Sequence, residues 1–530
     1  MAILRTARSS GCRRSNKRRR ASQVVGIVSI GLMALSAGPA LLSAEASNEW
    51  VGKRVIPRSP DFQLKIQSQV IEPKSIGFYR VEQVKGHWLW LRLEEWNQRG
   101  WAKVDTVVPG DQADAFFTQQ IEAHPQDPDF REMRAILRHD LKDHDGAIGD
   151  LDEVIRLYPW FAEYYSSRGV LKLAKGEPDR ALSDFNEAIQ LNPSLASTYY
   201  NRGRAWYAKK ECDRAIADFS TAVERDPTNA MAFSSRGICW LEKKDYDRAI
   251  ADLNQALSLN PQHANSLYSR GLSWSAKKES DKALADYSET VRLDAQYVGA
   301  LMERGKILWW VKKDYDGALS DCDQVIRLEP RNAKAHLFRG GVLYDRKDYD
   351  RATREVDEAI RLDAQLDEAH QYRGEIFWDR KSYDQAIAEF TEAIRINPRN
   401  ANYYSERADL WICKKQYDKA VTDHAEAIRL APENHEFLNY LAWLHATCPD
   451  ARYRDGKKAV GLATKACELS QWKEANDLDT LAAACAEAGD FESAIKWESR
   501  AIELGGDEKK EHASRLKLFQ EHKPFHESGD

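Results

Sequence analysis

The sequence predicts a mostly α-helical protein, a solenoid of about eleven helix-turn-helix repeats preceded by a small β-barrel. Three observations predict it. An Arg-Gly pair recurs at a step of 34 residues through most of the chain. Small, aromatic and proline residues keep fixed offsets from that pair. A short stretch rich in Trp, Tyr and Val, with no such period, lies ahead of the repeats.

In chain order, residues 1–46 come first. Arg5, Arg8, Arg13, Arg14, Lys17, Arg18, Arg19 and Arg20 precede an apolar run from Val24 to about Leu42, and Ala44-Glu45-Ala46 follows. A basic segment, a short apolar core and a small-x-small tripeptide form the pattern of an export signal. The apolar run is marginal in length for a spanning helix, so an uncleaved anchor is the competing reading. The expected location is therefore periplasmic or secreted, or membrane-anchored through this segment. Removing its eight basic residues and Glu45 leaves 70 of the 78 Lys and Arg against 82 of the 83 Asp and Glu. An acidic body is a poor ligand for phosphate backbones, so no nucleic-acid partner is expected.

Residues 50–108 read as the barrel. Val51–Val55, Gly77–Val84, Trp88–Arg92 and Gly100–Val104 have strand character, and Lys85-Gly86-His87 reads as a turn. The hairpin followed by Gly100-Trp101 resembles bacterial Src-homology-3-like domains. That resemblance implies a peptide or cell-wall ligand, with Trp88, Trp90 and Trp101 as candidate contacts. Alternation along the strand puts Trp88 and Trp90 on one face. That face is read as barrel core, with ligand contact as the alternative.

The repeats occupy residues 127–506. Arg168-Gly169, Arg202-Gly203, Arg236-Gly237, Arg270-Gly271 and Arg304-Gly305 are evenly spaced; after one added residue the series continues at Arg339-Gly340, Arg373-Gly374 and Arg407-Ala408. An Ala follows the Gly by twelve (Ala181, Ala215, Ala249), a large residue by sixteen (Phe185, Phe219, Leu253) and a second Ala by nineteen (Ala188, Ala222, Ala256). Helical spacing gathers these residues on one face. The Gly and Ala leave room where two helices cross, and the large residue fills what remains. Proline closes many units, as at Pro193, Pro227 and Pro261, because it cannot continue the hydrogen-bond ladder. Lys243-Lys244-Asp245 reads as a turn whose Asp caps the next helix. One such hairpin cannot bury its apolar faces alone, so neighbours must stack. The residue added near Trp309-Trp310 is expected to bend or bulge its helix. The last two units are irregular, and residues 507–523 read as a capping helix offering Leu516, Leu518 and Phe519.

Period, small residues, aromatics and closing prolines together resemble the tetratricopeptide repeat. The resemblance implies a right-handed superhelix whose first helices line an inner wall that binds protein or peptide partners. Matching positions nominate Tyr200, Arg204, Tyr207, Tyr268, Met302, Lys306, Trp309, Tyr344, Gln371 and Trp378 as groove residues. The family usually carries an apolar residue where this chain has Arg before the Gly. An acid recurs in each second helix: Asp150, Asp184, Asp218, Asp252, Asp286, Asp321, Glu355, Glu389 and Asp423. We read these as an Arg–carboxylate ladder, with an anion-binding stripe as the alternative.

Seven scattered Cys beyond Cys12, without a Cys pair or Cys/His cluster at zinc spacing, indicate neither a disulfide framework nor a metal site. His435-Glu436 lacks the second His of a zinc helix, and no phosphate loop or nucleophile elbow is present. The sequence thus points away from catalysis, cofactors and metals. It points toward an interaction scaffold of the cell envelope, with a barrel-based peptide or glycan binder as the alternative.

Overall fold

The computed structural model describes residues 51–58, 62–66, 69–71, 78–85, 88–93, 99–505 and 509–528. The export segment expected at residues 1–46 lies outside them. The chain divides into two compact units, residues up to Leu293 and from Asp294 onward.

The first unit opens with seven short strands: β1 (Arg54–Pro57), β2 (Leu64–Ile66), β3 (Gln69–Ile71), β4 (Tyr79–Lys85), β5 (Trp88–Leu93), β6 (Arg99–Lys103) and β7 (Val107–Pro109). They form one antiparallel sheet in the order β3-β2-β6-β5-β4-β1-β7. Its two edges, β3 and β7, are the ends of that order, so the expected barrel is a half-barrel. The core face carries Val55, Leu64, Tyr79, Val81, Leu89, Leu91 and Ala102. This corrects the expectation for β5. Leu89 and Leu91 are fully buried, so the alternate face holding Trp90 is the outer one. There Trp90 pairs in register with Trp101, ring centroids 5.2 Å apart, and both indoles stay half-buried.

A helix absent from the sequence reading, α1 (Ala113–Ala123), follows; its Phe117 packs with Ile56, Phe78 and Val108 of the sheet and Met133 of the first repeat. Five hairpins complete this unit: α2 (Pro128–Asp140) with α3 (His144–Leu157), α4 (Ala162–Ala174) with α5 (Pro178–Leu191), α6 (Ala196–Ala208) with α7 (Cys212–Arg225), α8 (Ala230–Glu242) with α9 (Tyr246–Leu259), and α10 (Ala264–Ala276) with α11 (Ser280–Leu293).

The second unit begins with α12 (Val298–Lys306), which runs through a π turn at Ile307–Val311, and α13 (Tyr315–Leu328). Next come α14 (Ala333–Asp345) with α15 (Tyr349–Leu362), α16 (Asp367–Asp379) with α17 (Tyr383–Ile396), and α18 (Ala401–Cys413) with α19 (Tyr417–Leu430). The last pairs are α20 (His435–Thr447) with α21 (Gly456–Leu469) and α22 (Ala475–Glu487) with α23 (Phe491–Leu504); α24 (Lys509–Gln520) closes the unit. Eleven hairpins are thus present among the described residues. None of the described helices is long and apolar enough to cross a membrane.

Seven of the crossings depend on the missing side chain of a glycine, at 169, 203, 237, 271, 305, 340 and 374. A Cβ on Gly169 would sit 2.7 Å from the Phe185 ring, and one on Gly271 2.5 Å from Tyr287. Asp245, Asp314 and Asp348 cap the second helices by accepting from the backbone three residues on. The turn lysine before each of them, Lys244, Lys313 and Lys347, has φ of 61°, 54° and 61°, the left-handed value that reverses the chain.

The added residue is taken up inside the first helix, as the π turn. In consequence Arg304 meets an acid seventeen residues on (Asp321), where other repeats use sixteen. The residue facing Gly305 from α13 is then the small Cys322, and Phe338 of α14 moves onto the glycine instead. Trp309 lies against Phe338 with ring centroids 5.3 Å apart and fills the space above Gly341.

Gly237→Leu tests this packing. The new side chain would meet Leu253 and the Ala249 carbonyl oxygen, 2.9 and 3.2 Å from its Cβ. The expected cost is about 1–3 kcal/mol, read as a lower melting temperature of the full chain. An unchanged melting temperature would contradict the assignment.

Candidate functional site

The ladder forms. Arg134, Arg168, Arg202, Arg236, Arg270, Arg304 and Arg407 each grip their Asp with Nε and Nη2, at 2.5–3.0 Å. The remaining Nη1 of most of them reaches the second helix of the preceding repeat, for example Asp152 from Arg168 and Asn186 from Arg202. A planar guanidinium has enough donors to tie three helices at once, which a lysine could not do. Arg339 and Arg373 face Glu355 and Glu389 instead, and His336 and His370 share those longer acids at 2.9 and 2.8 Å. Burial pushes the Glu389 carboxyl up, but hydrogen bonds from His370 and Arg373 outweigh it and hold it below the usual range. With every ladder Arg engaged, the anion-stripe alternative has no free cations to work with.

A second, unanticipated ladder runs along the turns. The cation ending each first helix reaches an Asp thirty residues earlier, at the start of the preceding second helix: Lys175 to Asp145, Lys243 to Asp213, Arg346 to Asp316, Arg380 to Asp350. The acids stand in the first helical turn, which the helix dipole favours. They are more than 80% exposed, so each pair contributes little by itself.

The nominated groove residues separate into two groups. Tyr200 and Trp309 are buried packing residues, not groove contacts. Tyr200 lies on Phe219, and the Trp309 indole donates to Asp345 at 2.7 Å. Tyr268, Met302 and Trp378 are half-buried against Tyr287, the Trp309 cluster and the Phe390 cluster. Arg204 lies over the Tyr200 ring, and Lys306 pairs with Glu303 at 2.6 Å on its own helix. Tyr207 is exposed and donates its hydroxyl to Glu242. Tyr344 and Gln371, by contrast, stand beside a cluster of acids on successive first helices of the second unit.

Gln371, Glu375 and Asp379 follow one another at four-residue spacing on α16, and Glu406 and Asp409 stand on α18. The Gln371 amide donates to Glu375 at 2.9 Å and to Glu406 at 3.3 Å. Glu406 Oε2 has no hydrogen-bond partner. Burial, with the charges of Asp379 and Asp345 adding to it, pushes Glu375 up to about 7 against the opposing Gln371 bond. Burial and then the Glu375 and Asp409 charges push Glu406 up to about 8. Asp409 is raised too, by desolvation, although 39% of its side chain remains accessible. Behind it on α19, His424 is fully buried, neither ring nitrogen has a hydrogen-bond partner, and Nε2 lies 3.6 Å from the Asp409 carboxylate. Burial lowers that imidazole to about 4, so it is neutral.

At the other end of the second unit, Asp479, Glu498 and His512 are buried with donor atoms within 4.8 Å of one another. Arg515 of α24 supplies a cation at 2.7 Å from Asp479. Together with fully buried Phe519, this cluster fastens the capping helix. The sequence reading had anticipated only the apolar residues.

Helical hairpins stacked through glycine crossings define a helix-repeat protein. A model of the tetratricopeptide repeat family matches residues 167–230, 211–264, 241–298, 310–367 and 348–401. The break at 299–309 falls on the π turn and the helix leading into it. No curated protein matches the chain. Among solved structures it is similar to Pseudomonas aeruginosa pilF, with 21% identity over 40% of this chain and 97% of that one, TM-score 0.38. Yeast Tom70 is 16% identical over 73% and 94%, TM-score 0.38. YrrB, described as a TPR protein with an unusual peptide-binding site, is 21% identical over 35% and 95%, TM-score 0.30.

The raised carboxyls make a pH prediction. Their ordinary values lie near 4, so between pH 4 and 8 the folded chain holds protons that the unfolded chain has released. Stability therefore falls as pH rises through that window. Glu498, raised by burial beside Asp479, acts in the same direction. The melting temperature of the full chain should fall between pH 5 and pH 8.5, and Glu406→Gln should flatten the fall. Identical profiles for the two proteins would contradict the assignment.

Proposed function

We propose that the protein is a non-enzymatic protein–protein interaction scaffold of the bacterial cell envelope, taking extended segments of partner proteins on the concave surface lined by its first helices. One observation carries the reading. The repeated charged residues are consumed in clamps between helices, while unrepeated aromatic side chains on the first helices stay exposed, among them Tyr207 and Tyr440. Tyrosines half-sunk among polar neighbours are common anchors for a protein partner. The envelope address rests on the basic, apolar and small-residue pattern of residues 1–46. If that segment is not cleaved, it anchors the scaffold to the membrane.

Selecting a displayed library of random peptides against the full chain tests the binding surface. Selected peptides should bind at least tenfold more weakly to a Tyr207→Ala/Tyr440→Ala variant, and normally to an Arg156→Ala control on a second helix. Equal binding to all three proteins would contradict it. Separately, residues 1–50 fused to a reporter active only after export should give activity; a silent fusion would remove the envelope address.

A second reading is favoured by the paired indoles of Trp90 and Trp101 on the outer face of the sheet. In it the half-barrel resembles Src-homology-3-like domains in function as well, holding an envelope peptide or glycan, with the repeats as a spacer. Under that reading a Trp90→Ala/Trp101→Ala variant loses retention on purified cell wall, while the tyrosine variant keeps it.

A further inference from the structure

The acidic cluster on α16 and α18 lacks a counter-ion. Among the described residues no lysine or arginine pairs with Glu375, Glu406 or Asp409, whereas acids of the second helices have one: Glu389 has Arg373, Asp423 has Arg407 and Asp384 has Lys414. Glu375 and Asp379 are one turn apart, where like charges oppose helix formation, and only neutral donors, among them the Gln371 amide and the Tyr349 hydroxyl, reach them. An acidic cluster alone is only a solvated face. Here a second feature points inward. His424 is buried in the wall with both ring nitrogens unpartnered, and its Nε2 faces Asp409. A buried polar group left without a partner is costly unless something supplies one.

We propose that this cluster receives a basic side chain, lysine or arginine, presented by an extended segment of the partner protein. The inference rests on the scaffold reading above and names the chemistry that its second unit recognises. Gln371 already shows the geometry. Its amide nitrogen bridges Glu375 and Glu406, so an N–H donor fits between the two carboxylates. An ammonium or guanidinium brings more donors and the missing charge. Its further N–H groups suit Asp409, whose side chain is 39% accessible; the unpartnered Glu406 Oε2 and the neutral His424 ring are buried beside it. Tyr344 and Tyr372 on one side and Tyr440 on the other border the acids, and ring faces of this kind favour a cation. A bound cation also relieves the desolvation and mutual repulsion that hold these carboxyls above their ordinary range.

The test uses the full chain and three fluorescent peptides of sequence Ala-Lys-Ala-Ala-Lys-Ala: the lysine form, its arginine counterpart and its acetyl-lysine counterpart. The lysine and arginine forms should bind, acetylation should weaken binding at least tenfold, and Glu406→Gln and Asp409→Asn should each weaken it several-fold. Glu406→Gln removes a crowded charge, so its melting temperature at pH 8 should be equal or higher, which separates lost binding from lost folding. Equal affinity for the acetylated peptide, or affinity unchanged by both variants, would overturn the proposal. So would calcium alone binding at micromolar concentration and displacing the peptide. If library-selected peptides without basic residues bind through Tyr207 and Tyr440 while the lysine form does not, this inference falls and the scaffold reading stands. If no peptide of any kind binds, both fall.

Discussion

Close approach of two helices at a residue without a side chain is the constraint on which the helical part depends. At Gly169, Gly203, Gly271 and Gly374 the partner helix lays an aromatic ring where a Cβ would have to be. That contact sets how near the helices of a pair come, and so places the Arg before each Gly within reach of its acid. The sixth hairpin shows how far the constraint can be bent. An added residue displaces the filling side chain, and the array recovers by inserting a π turn, recruiting Phe338 from the next helix and opening space over Gly341. The crossing is kept even where the sequence supplying it has slipped.

Arginine converts these local crossings into an array. With one edge of the guanidinium on its own second helix and the remaining nitrogen on the helix before, it joins neighbouring repeats by directional bonds, while the alanines and large residues supply non-directional burial. The two glutamate repeats reach the same end differently, drawing in His336 and His370. Since the periodic charges are neutralised internally, any recognition has to come from positions that do not repeat. The acids at 375, 406 and 409 are of that kind. The matching positions elsewhere hold residues as different as Asn201, Arg204 and Leu272.

Much of this was legible in the sequence, because a period converts one-dimensional spacing into three-dimensional neighbourhood. Repeat count, glycine crossings, the Arg–carboxylate pairs and the irregular helix at Trp309 all follow from offsets within one or two units. What escaped reading depended on contacts that no offset announces. The turn ladder joins residues thirty apart through the way hairpins stack. Helix α1 carries no repeat signature. Trp90 faces outward because Leu89 and Leu91 fill the sheet's core, and alternation alone gives two faces without saying which is inside. Tyr200 and Trp309 were nominated as groove residues by position and are packing residues, their rings taken up by Phe219 and Phe338. Gln371 was nominated for the groove, but its acidic neighbours were not read as one cluster, since four-residue spacing on one helix does not reveal a neutral histidine behind the next.

The central claim is a division of labour: repeated residues hold the helices together, and unrepeated residues on the first helices receive a partner. Hydrogen exchange of the full chain, with and without a saturating bound peptide, measures it most directly. The account predicts added protection confined to first helices, with the second helices and the sheet unchanged. Protection centred on the second helices or on β5 and β6 would contradict it.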